Sequence, residues 1–308
     1  MPHFPAITQE NGHGKNDTMS DGKETIINWY PGHMAKARRQ MQEDMKVIDV
    51  VLELVDARIP YSSKNPDIDK LAAGKSRVIL LNKADMADPS VTALWKTHYE
   101  SKGFVVAAID ARVSNGLKTV NDCIMAACQE KLERDRRRGI LNRPLRAMIV
   151  GIPNVGKSTF INSFAGKAVA KTGNKPGVTK GRQWIRLNKQ VELLDTPGIL
   201  WPKFESAEVG RRIAWIGSVN DQILVSTEMA EQLLVFLMSE YPGTVGAYYG
   251  IDEVDDTVKE RGAEMLSRIA VRRGCLRKGG EADLERAANM VTDDFRNVRI
   301  GRISLEKP

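Results

Sequence analysis

The segment that most constrains the fold of this chain is the nonapeptide Gly-Ile-Pro-Asn-Val-Gly-Lys-Ser-Thr at residues 151–159. An apolar run at residues 147–150 precedes it, and residues 160–164 can continue it as a helix. A strand, a glycine-bounded loop, Lys-Ser/Thr and a helix, in this order, are typical of a loop that binds phosphate groups. The two glycines allow the backbone to wrap closely around an anion. The N–H groups that we expect to point at phosphate oxygens are those of Asn154, Val155, Gly156, Lys157, Ser158 and Thr159.

The side chains of this loop indicate a nucleoside triphosphate bound together with magnesium. Lys157 is placed to reach the outer phosphates, and we predict that it assists catalysis by neutralising their charge. Ser158 offers a hydroxyl oxygen, and Mg²⁺ prefers oxygen ligands. A chance glycine-rich turn is the alternative interpretation, but all fixed positions of the pattern are present in the expected context.

Composition is that of an ordinary globular protein. The chain has 308 residues, of which 42% are hydrophobic and 28% charged, enough for about two domains with substantial cores. No run approaches the length of uncharged apolar sequence that crosses a membrane. The first 23 residues lack the apolar segment of a signal peptide, and the three cysteines form no metal-spaced pair. We therefore expect a cytoplasmic protein with no membrane partner.

The positive charge of the chain is concentrated in one region. Residues 131–203 carry 16 Lys/Arg against 4 Asp/Glu, whereas residues 1–130 carry 16 against 17 and residues 204–308 carry 14 against 18. A bound nucleotide would neutralise only a few of these charges. The excess favours an extended polyanion, RNA above all, over a merely solubilising basic face.

The periodicity of the chain predicts two domains. Residues 1–25 form a polar tail, and in residues 26–204 buried strands alternate with helices, which indicates an α/β fold with a mostly parallel sheet. We predict strands at residues 47–55, 77–81, 104–109, 147–150, 183–187 and 191–194, and helices at 34–45, 89–102 and 117–138. Residues 205–292 show only helical periodicity, at 205–218, 226–239, 254–273 and 282–292, and predict a smaller all-α domain; residues 293–308 are assigned to a tail.

Asn82-Lys83-Ala84-Asp85 follows the second predicted strand and has a specific chemical use. The Asp85 carboxylate can accept hydrogen bonds from N1–H and N2–H₂ of guanine, whereas adenine offers no matching donors. Asn82 would hold the base and its loop, and the stem of Lys83 would cover the ring. Together with a phosphate-binding loop, this tetrapeptide predicts guanine nucleotides.

Asp195-Thr196-Pro197-Gly198 ends the last predicted strand. Asp195 supplies a carboxylate that can hold magnesium, usually through water. The N–H of Gly198 can contact the γ-phosphate. Thr179 lies in the Gly/Pro/Lys-rich loop between the phosphate loop and Asp195. A threonine there can bind magnesium while triphosphate is present, so we assign it to the metal site and to catalysis.

These motifs resemble the GTPase signature set, but in a different order. In ordinary GTPases the phosphate loop comes first, whereas here residues 82–85 precede residues 151–159 and residues 195–198 come last. With Trp-Tyr-Pro-Gly-His-Met at 29–34, Asp-Ala-Arg-Ile-Pro at 56–60 and Pro-Gly-Val-Thr at 176–179, the chain is identified as a member of the ribosome biogenesis GTPase A family. The resemblance covers about residues 26–290 and implies a circularly permuted P-loop GTPase fold.

The resemblance implies a function as well as a fold. It implies a GTPase that acts late in assembly of the large ribosomal subunit, with the subunit precursor and its rRNA as partners and a monomeric state off the ribosome. The ribosomal particle would stimulate hydrolysis. The chain departs from the family at Asp110-Ala111, where the pattern has Ser-Ala. We expect the Ala111 N–H to contact the guanine oxygen still, and Asp110 to accept N–H bonds of its loop in place of the serine.

The sequence lacks a group that positions water within the usual motif. Many GTPases have a glutamine directly after Asp-x-x-Gly, but this chain has Ile199. One candidate for the missing group is His33, although it could instead pack against neighbouring aromatic residues. A second hypothesis, from resemblance to cation-dependent GTPases, is that the Asn154 side chain coordinates potassium. A hydrogen bond of Asn154 within the loop is an equal alternative.

Two other classes of function remain open from the sequence. The first is an RNA-binding protein whose nucleotide site is only structural. The second is a P-loop ATPase or kinase in which residues 82–85 have no role in base recognition. Turnover of GTP stimulated by ribosomal particles would argue against the first, and comparison of GTP and ATP affinities would decide the second.

Overall fold

The computed structural model describes residues 32–113, 116–141, 143–165, 183–201, 204–219 and 227–308. Thr179 and the predicted tail at residues 1–25 lie outside these residues, as do the side chains of residues 32–35. Among the described helices, none is long and apolar enough to cross a membrane.

The described elements follow one another in the order predicted for an α/β domain and a helical region. The strands are β1 Val50–Asp56, β2 Ser76–Asn82, β3 Val105–Ile109, β4 Leu145–Val150, β5 Gln183–Arg186 and β6 Val191–Asp195. The helices of the first region are α1 Gly32–Asp44, α2 Asp67–Leu71, α3 Pro89–Ser101, α4 Gly116–Ala127, α5 Gln129–Arg137 and α6 Lys157–Ala165. Those of the second are α7 Ala207–Trp215, α8 Thr227–Glu240, α9 Thr244–Tyr249, α10 Arg261–Arg272 and α11 Leu284–Arg296.

The six strands form one sheet in the order β3-β2-β1-β4-β6-β5. All neighbours pair in parallel except β5, which is antiparallel to β6 and forms the edge. Leu54 of β1 pairs with Leu80 of β2, and Glu53 of β1 pairs with Val150 of β4. Only β1 thus lies between β4, the strand before the phosphate loop, and β2, which runs into residues 82–85, although 68 positions separate Asn82 from Val150 in the chain.

The central strands β1, β2 and β4 are largely buried on both faces, as their continuous apolar sequences require. Every residue of β1 is buried, and one core cluster extends from β1 and β4 into the helices α7–α11. A second cluster packs α3 against the other face of β1 and β2 through residues such as Val91 and Trp95. The predicted fold class, a parallel-rich sheet flanked by helices and followed by an all-helical region, is confirmed.

Several predicted boundaries differ from the structure. The helix expected at 117–138 is two helices: α4 ends at Ala127 and α5 begins at Gln129. The helix expected from residue 254 begins only at Arg261. Before Arg261, the Asp255 side chain accepts the N–H of Thr257, at 2.9 Å, and so stabilises a turn at residues 255–257 in place of the helix. Helix α9 has no counterpart in the prediction.

Residues 293–308 are not the tail that the sequence predicts. Helix α11 continues to Arg296, and a C-terminal strap, residues 300–306, then returns to the α/β region. Ile303 and Leu305 are buried in the core. The N–H of Leu305 donates to the carbonyl of Arg58 at 2.8 Å, and the indole of Trp95 donates to the carbonyl of Glu306 at 3.0 Å.

The strap ends in a buried carboxylate. One oxygen of Glu306 accepts the backbone N–H groups of Tyr61 (2.5 Å) and Ser62 (2.9 Å), and the other accepts the Ser62 hydroxyl (2.5 Å) and the Arg212 guanidinium (3.1 Å). Burial raises the pKa of Glu306, although these donors act in the opposite direction. The carboxylate thus joins the loop after β1 to helix α7.

We predict that Glu306→Ala lowers the free energy of unfolding by about 2–4 kcal/mol, because it leaves buried donors and the Arg212 charge without their acceptor. Urea denaturation measures this change. Glu240→Ala is the matched control, because Glu240 is an exposed carboxylate that pairs with Lys307 at 3.0 Å, and its loss should cost less than about 0.5 kcal/mol. Equal effects of the two substitutions would show that the strap contributes little to stability.

Candidate nucleotide-binding site

Three predicted motifs converge at one edge of the sheet. Asn82 ends β2, Val150 ends β4 and Asp195 ends β6. Because these strands are parallel, their carboxyl ends share an edge, and the loops that follow them are neighbours. This is the edge at which open α/β sheets bind ligands.

Asn82 connects the base motif to the phosphate loop. Its side-chain N–H donates to the carbonyl of Val155 at 2.7 Å, and its side-chain oxygen accepts the N–H of Ala111 at 2.9 Å. Gly156, with a φ of 103°, lies so close that a Cβ atom there would collide with the Asn82 amide. One buried amide thus holds three segments together. The Ala111 N–H, expected to contact the guanine oxygen, is donated to Asn82 in this conformation.

Lys83 makes a second connection to the phosphate loop. Its ammonium donates to the carbonyl of Asn154 at 2.9 Å and pairs with Asp56 at 2.9 Å. Asp56 is fully buried and also binds Arg58 through both carboxylate oxygens, at 2.9 and 2.8 Å. Burial alone would raise the pKa of Asp56, but Arg58 and Lys83 hold it well below its usual range. Asp56 therefore stays ionised and fixes the Lys83 side chain.

Lys157 lies inside the phosphate loop. Its ammonium donates to the carbonyls of Gly151 and Ile152, at 2.8 Å each, and burial lowers its pKa to about 8. A Cβ atom at Gly198 would lie 2.9 Å from the Lys157 ammonium and 2.9 Å from the backbone of Pro153. The segment at residues 195–198 therefore runs directly against the loop, and only glycine fits at its end.

Asp195 is suited to a magnesium ion. Its side chain is buried, and the Oδ1 atom has no hydrogen-bond partner among the residues that the structure describes. Burial raises the pKa of Asp195 to about 6, and Lys157 opposes this shift. Ser158 lies in the first turn of α6 and is half-buried, as is Thr159. A carboxylate oxygen without a partner and a nearby helix-start hydroxyl are a donor set that fits Mg²⁺. Thr179, the third predicted ligand, lies outside the described residues.

Asp85, the carboxylate predicted to recognise the base, has an ionic partner that the sequence analysis missed. Oδ2 of Asp85 pairs with the guanidinium of Arg112, while Oδ1 is buried without a hydrogen-bond partner among the described residues. The Arg112 guanidinium also binds Asp110 at 2.9 Å through two nitrogens. Asp110 accepts the N–H of Arg112 at 2.9 Å, and its pKa is lowered chiefly by the Arg112 side chain. Arg112 thus neutralises the acidic residue that stands in place of serine.

Asn154 contacts the helical region. It has a φ of 58°, and its side-chain N–H donates to the carbonyl of Gly217, two residues after the end of α7, at 2.7 Å. The carbonyls of Ala214 and Trp215, at the end of α7, accept from Arg296 of α11 at 2.8 Å each. The phosphate loop is thereby connected to two helices of the second region. A hydrogen bond of Asn154 within the loop, the alternative role expected from the sequence, stays a prediction.

The side chain at position 199 cannot itself position water, because it is apolar. The Ile199 side chain is 5% exposed, and its carbonyl accepts from Asn65 at 3.2 Å. His33 belongs to helix α1, but its side chain lies outside the described part of the chain, so the structure does not place it at the site.

Ala84 donates its N–H to the carbonyl of Ile109 at 3.1 Å, which orders the turn that carries Asp85.

Three kinds of residue at this site escaped sequence reasoning. Asp56 and Arg58 lie in a pentapeptide that was recognised only as part of a family pattern. Arg112 follows Asp110 by two positions, and a carboxylate in place of serine is the signal that could have pointed to a compensating cation. Gly217 could not be found from the sequence, because nothing local links it to Asn154.

Comparison with known proteins agrees with this geometry. A family model described as a 50S ribosome-binding GTPase matches residues 146–271. The ribosome biogenesis GTPase A of Priestia megaterium is 47% identical over 92% of this chain and 97% of its own length. That of Thermotoga maritima is 31% identical over 92% of this chain and 95% of its own length. The GNP-bound crystal structure of YlqF from T. maritima superposes with a TM-score of 0.63, at 28% identity, over 89% of this chain and 98% of that one.

We predict that Asp85→Asn lowers GTP affinity by at least about 100-fold, because it removes the acceptor for the guanine N1–H, and that it creates affinity for xanthosine triphosphate. Titration with fluorescent nucleotides measures both constants. Asp122→Asn is the control, since Asp122 is an exposed carboxylate on α4 away from the strand ends. If Asp85→Asn kept the GTP affinity of the parent chain, Asp85 would not be the base-recognition residue.

Proposed function

The chain belongs to the ribosome biogenesis GTPase A family, and from this premise we propose that it hydrolyses GTP as an assembly factor of the large ribosomal subunit in the cytoplasm. The observation that carries the proposal is the position of residues 82–85 against the phosphate loop, held by Asn82 and Lys83. An ATPase or kinase has no need of an aspartate with a buried, unpaired oxygen at this position. The same geometry favours GTP over ATP.

The roles of the individual side chains follow from where they lie. Lys157 is the cation of the loop, and phosphate oxygens would replace the two carbonyls that it now contacts. Ser158 and Asp195 would hold Mg²⁺, which supplies positive charge beside the transferred phosphoryl group. Asn82, Lys83, Ala84 and Asp85 hold the base, together with the turn at Asp110 and Ala111. We assign Thr179 to the magnesium site and to catalysis only on its sequence context.

Efficient hydrolysis requires a group from elsewhere. Ile199 is buried and apolar, so it cannot orient a water molecule. We propose that slow intrinsic turnover rises when the protein docks on the ribosomal particle, and that docking brings His33 over the γ-phosphate. Potassium beside Asn154 would add positive charge. The Asn154 side-chain oxygen would then bind potassium while its N–H donates to the carbonyl of Gly217. Equal hydrolysis rates in potassium and in sodium would exclude the potassium site.

The contacts around the loop support a model in which GTP controls binding to the particle. The Asn154–Gly217 hydrogen bond and the close packing of Gly198 on Lys157 join the nucleotide site to the helical region from two directions. A segment that the γ-phosphate orders, and that relaxes on hydrolysis, would shift the helices that follow it. We propose that both regions grip the rRNA of the large-subunit precursor while GTP is bound, and that hydrolysis releases a monomeric protein.

We predict that purified large ribosomal subunits accelerate GTP hydrolysis, and that His33→Ala lowers the stimulated rate by about 100-fold or more while leaving GTP affinity unchanged. Phosphate release, with and without subunits, measures both effects. His13→Ala is the control, because it removes a histidine outside every motif. Unchanged stimulated turnover in His33→Ala would refute the role of His33. If subunits stimulated no hydrolysis in the parent chain, a structural nucleotide site would be the better account.

A further inference from the structure

A second charged surface lies at the edge of the sheet opposite the nucleotide site. We call it the amino-edge surface, since its arginines surround the amino ends of β1 and β4. We define it by Arg134, Arg138, Arg143, Arg146 and Arg186, together with Trp184, which pairs in register with Leu194 of β6. We propose that this surface binds RNA, with its arginines on backbone phosphates and Trp184 against an unpaired base. The inference extends the proposed function, since it assigns one face of the GTPase domain to the RNA partner.

Asp49, at the start of β1, holds one half of this surface together. Its N–H donates to the carbonyl of Arg146 at 2.8 Å, and its carboxylate accepts the N–H of Arg146 at 2.9 Å. The same carboxylate lies 3.5 Å from the ammonium of Lys131 on α5 and 3.5 Å from the guanidinium of Arg143. Helix α5, the segment before β4 and β4 itself therefore meet at one point.

The end of α5 adds further positive charge at this point. Lys131 pairs with Asp135, and the hydrogen bond from Lys131, followed by the charges of Arg143 and Arg134, lowers the pKa of Asp135. The carboxylates of Asp49 and Asp135 thus each interact with more than one positively charged side chain. Arg134 and Arg138 are exposed and form no ion pair with any residue in the described ranges, so their charge faces solvent.

The edge strand β5 supplies the aromatic part of the surface. Trp184 is 45% exposed, and the guanidinium of Arg146 lies 5.7 Å from the centre of its ring. Arg186, two positions along β5, lies on the same face of the strand as Trp184 and pairs in register with Glu192. Glu192 also pairs in register with Arg146, so it is the one acidic side chain placed between these two arginines in the sheet. A half-exposed indole bordered by arginines is the result.

The nucleotide cannot be the partner of this charge. Arg146 precedes Val150, the last residue of β4, by four positions, which is about 13 Å at about 3.3 Å per residue, and the phosphate loop begins after Val150. This distance exceeds the screening length of about 8 Å at physiological ionic strength. The arginines of the amino-edge surface therefore need another polyanion as their partner.

RNA fits the surface better than an acidic protein does. The planar guanidinium group matches phosphate geometry, and half or more of the hydrogen bonds in nucleic-acid complexes go to the backbone. An acidic polypeptide could satisfy the arginines, but it gives no reason for an exposed indole beside them. Unpaired bases stack on such rings, which is the usual mode of single-stranded RNA recognition.

The test compares the full-length protein with two variants and a matched control. The triple variant Arg143→Gln/Arg146→Gln/Arg186→Gln removes three charges from the surface, and Trp184→Ala removes the ring. The control Lys70→Gln/Lys96→Gln/Lys102→Gln removes three exposed charges elsewhere on the same domain. The probes are a labelled single-stranded RNA of about 20 nucleotides, the same RNA as a duplex, and polyglutamate, across a range of salt concentrations. Thermal unfolding and GTP affinity verify that each variant is folded.

We expect the triple variant to bind single-stranded RNA at least about tenfold more weakly than the control and to lower the salt dependence of log K by about 2. Trp184→Ala should weaken single-stranded binding about fivefold or more and leave duplex binding nearly unchanged. The inference is overturned if the triple variant behaves as the control does, if the parent chain binds no RNA, or if polyglutamate binds this surface more tightly than RNA.

Cosedimentation with large ribosomal subunits separates this inference from the proposed function. If the parent chain and the triple variant bind subunits equally well, the amino-edge surface is not the RNA-binding face, but the proposed function stands. If the parent chain does not bind subunits at all, the proposed function fails, whatever its affinity for isolated RNA.

Discussion

The structure depends on the amide group of Asn82. Its two hydrogen bonds join the end of β2 to the phosphate loop at Val155 and to the turn at Ala111, and Gly156 leaves room for it. The base motif precedes the phosphate loop in the chain, so no local connection holds the two in register. In the parallel sheet, only β1 lies between β2 and β4. The hydrogen bonds of the Asn82 amide then fix the position of the base motif relative to the phosphate loop. A permuted order of motifs is therefore compatible with an intact site, because the site needs only the strand ends.

The helical region is attached to this site at several points rather than by one linker. Asn154 contacts Gly217, the second residue after α7, Arg296 binds the end of the same helix, and Glu306 joins α7 to the loop after β1. That loop follows Asp56, the last residue of β1, which fixes Lys83, so the strap and the base motif share a support. A change in the phosphate loop has a direct route to α7 and α11. In the proposed function this route connects hydrolysis to release.

The sequence predicted the parts of the fold that depend on local patterns. Continuous apolar runs identified the buried strands, and fixed spacing predicted a phosphate loop, a base motif and a metal ligand in segments that the sheet brings to one edge. It failed where distant residues decide the structure. Glu306 and Ser62 are 244 positions apart, so the last residues were mistaken for a tail. Arg112 pairs with Asp85 across 27 positions, and the Asp255 turn overrides a helical pattern through one side-chain hydrogen bond. No periodicity carries such information.

In the proposed function, the bound nucleotide controls the affinity of the protein for the large subunit. The most direct test is cosedimentation of the protein with purified large subunits in the presence of a non-hydrolysable GTP analogue, of GDP, and of no nucleotide. Coupling between two sites typically changes affinity by about 5–150-fold, so we expect binding at least about tenfold tighter with the analogue than with GDP. Equal affinity in the GTP-analogue and GDP states would contradict the account, because hydrolysis could then not drive release.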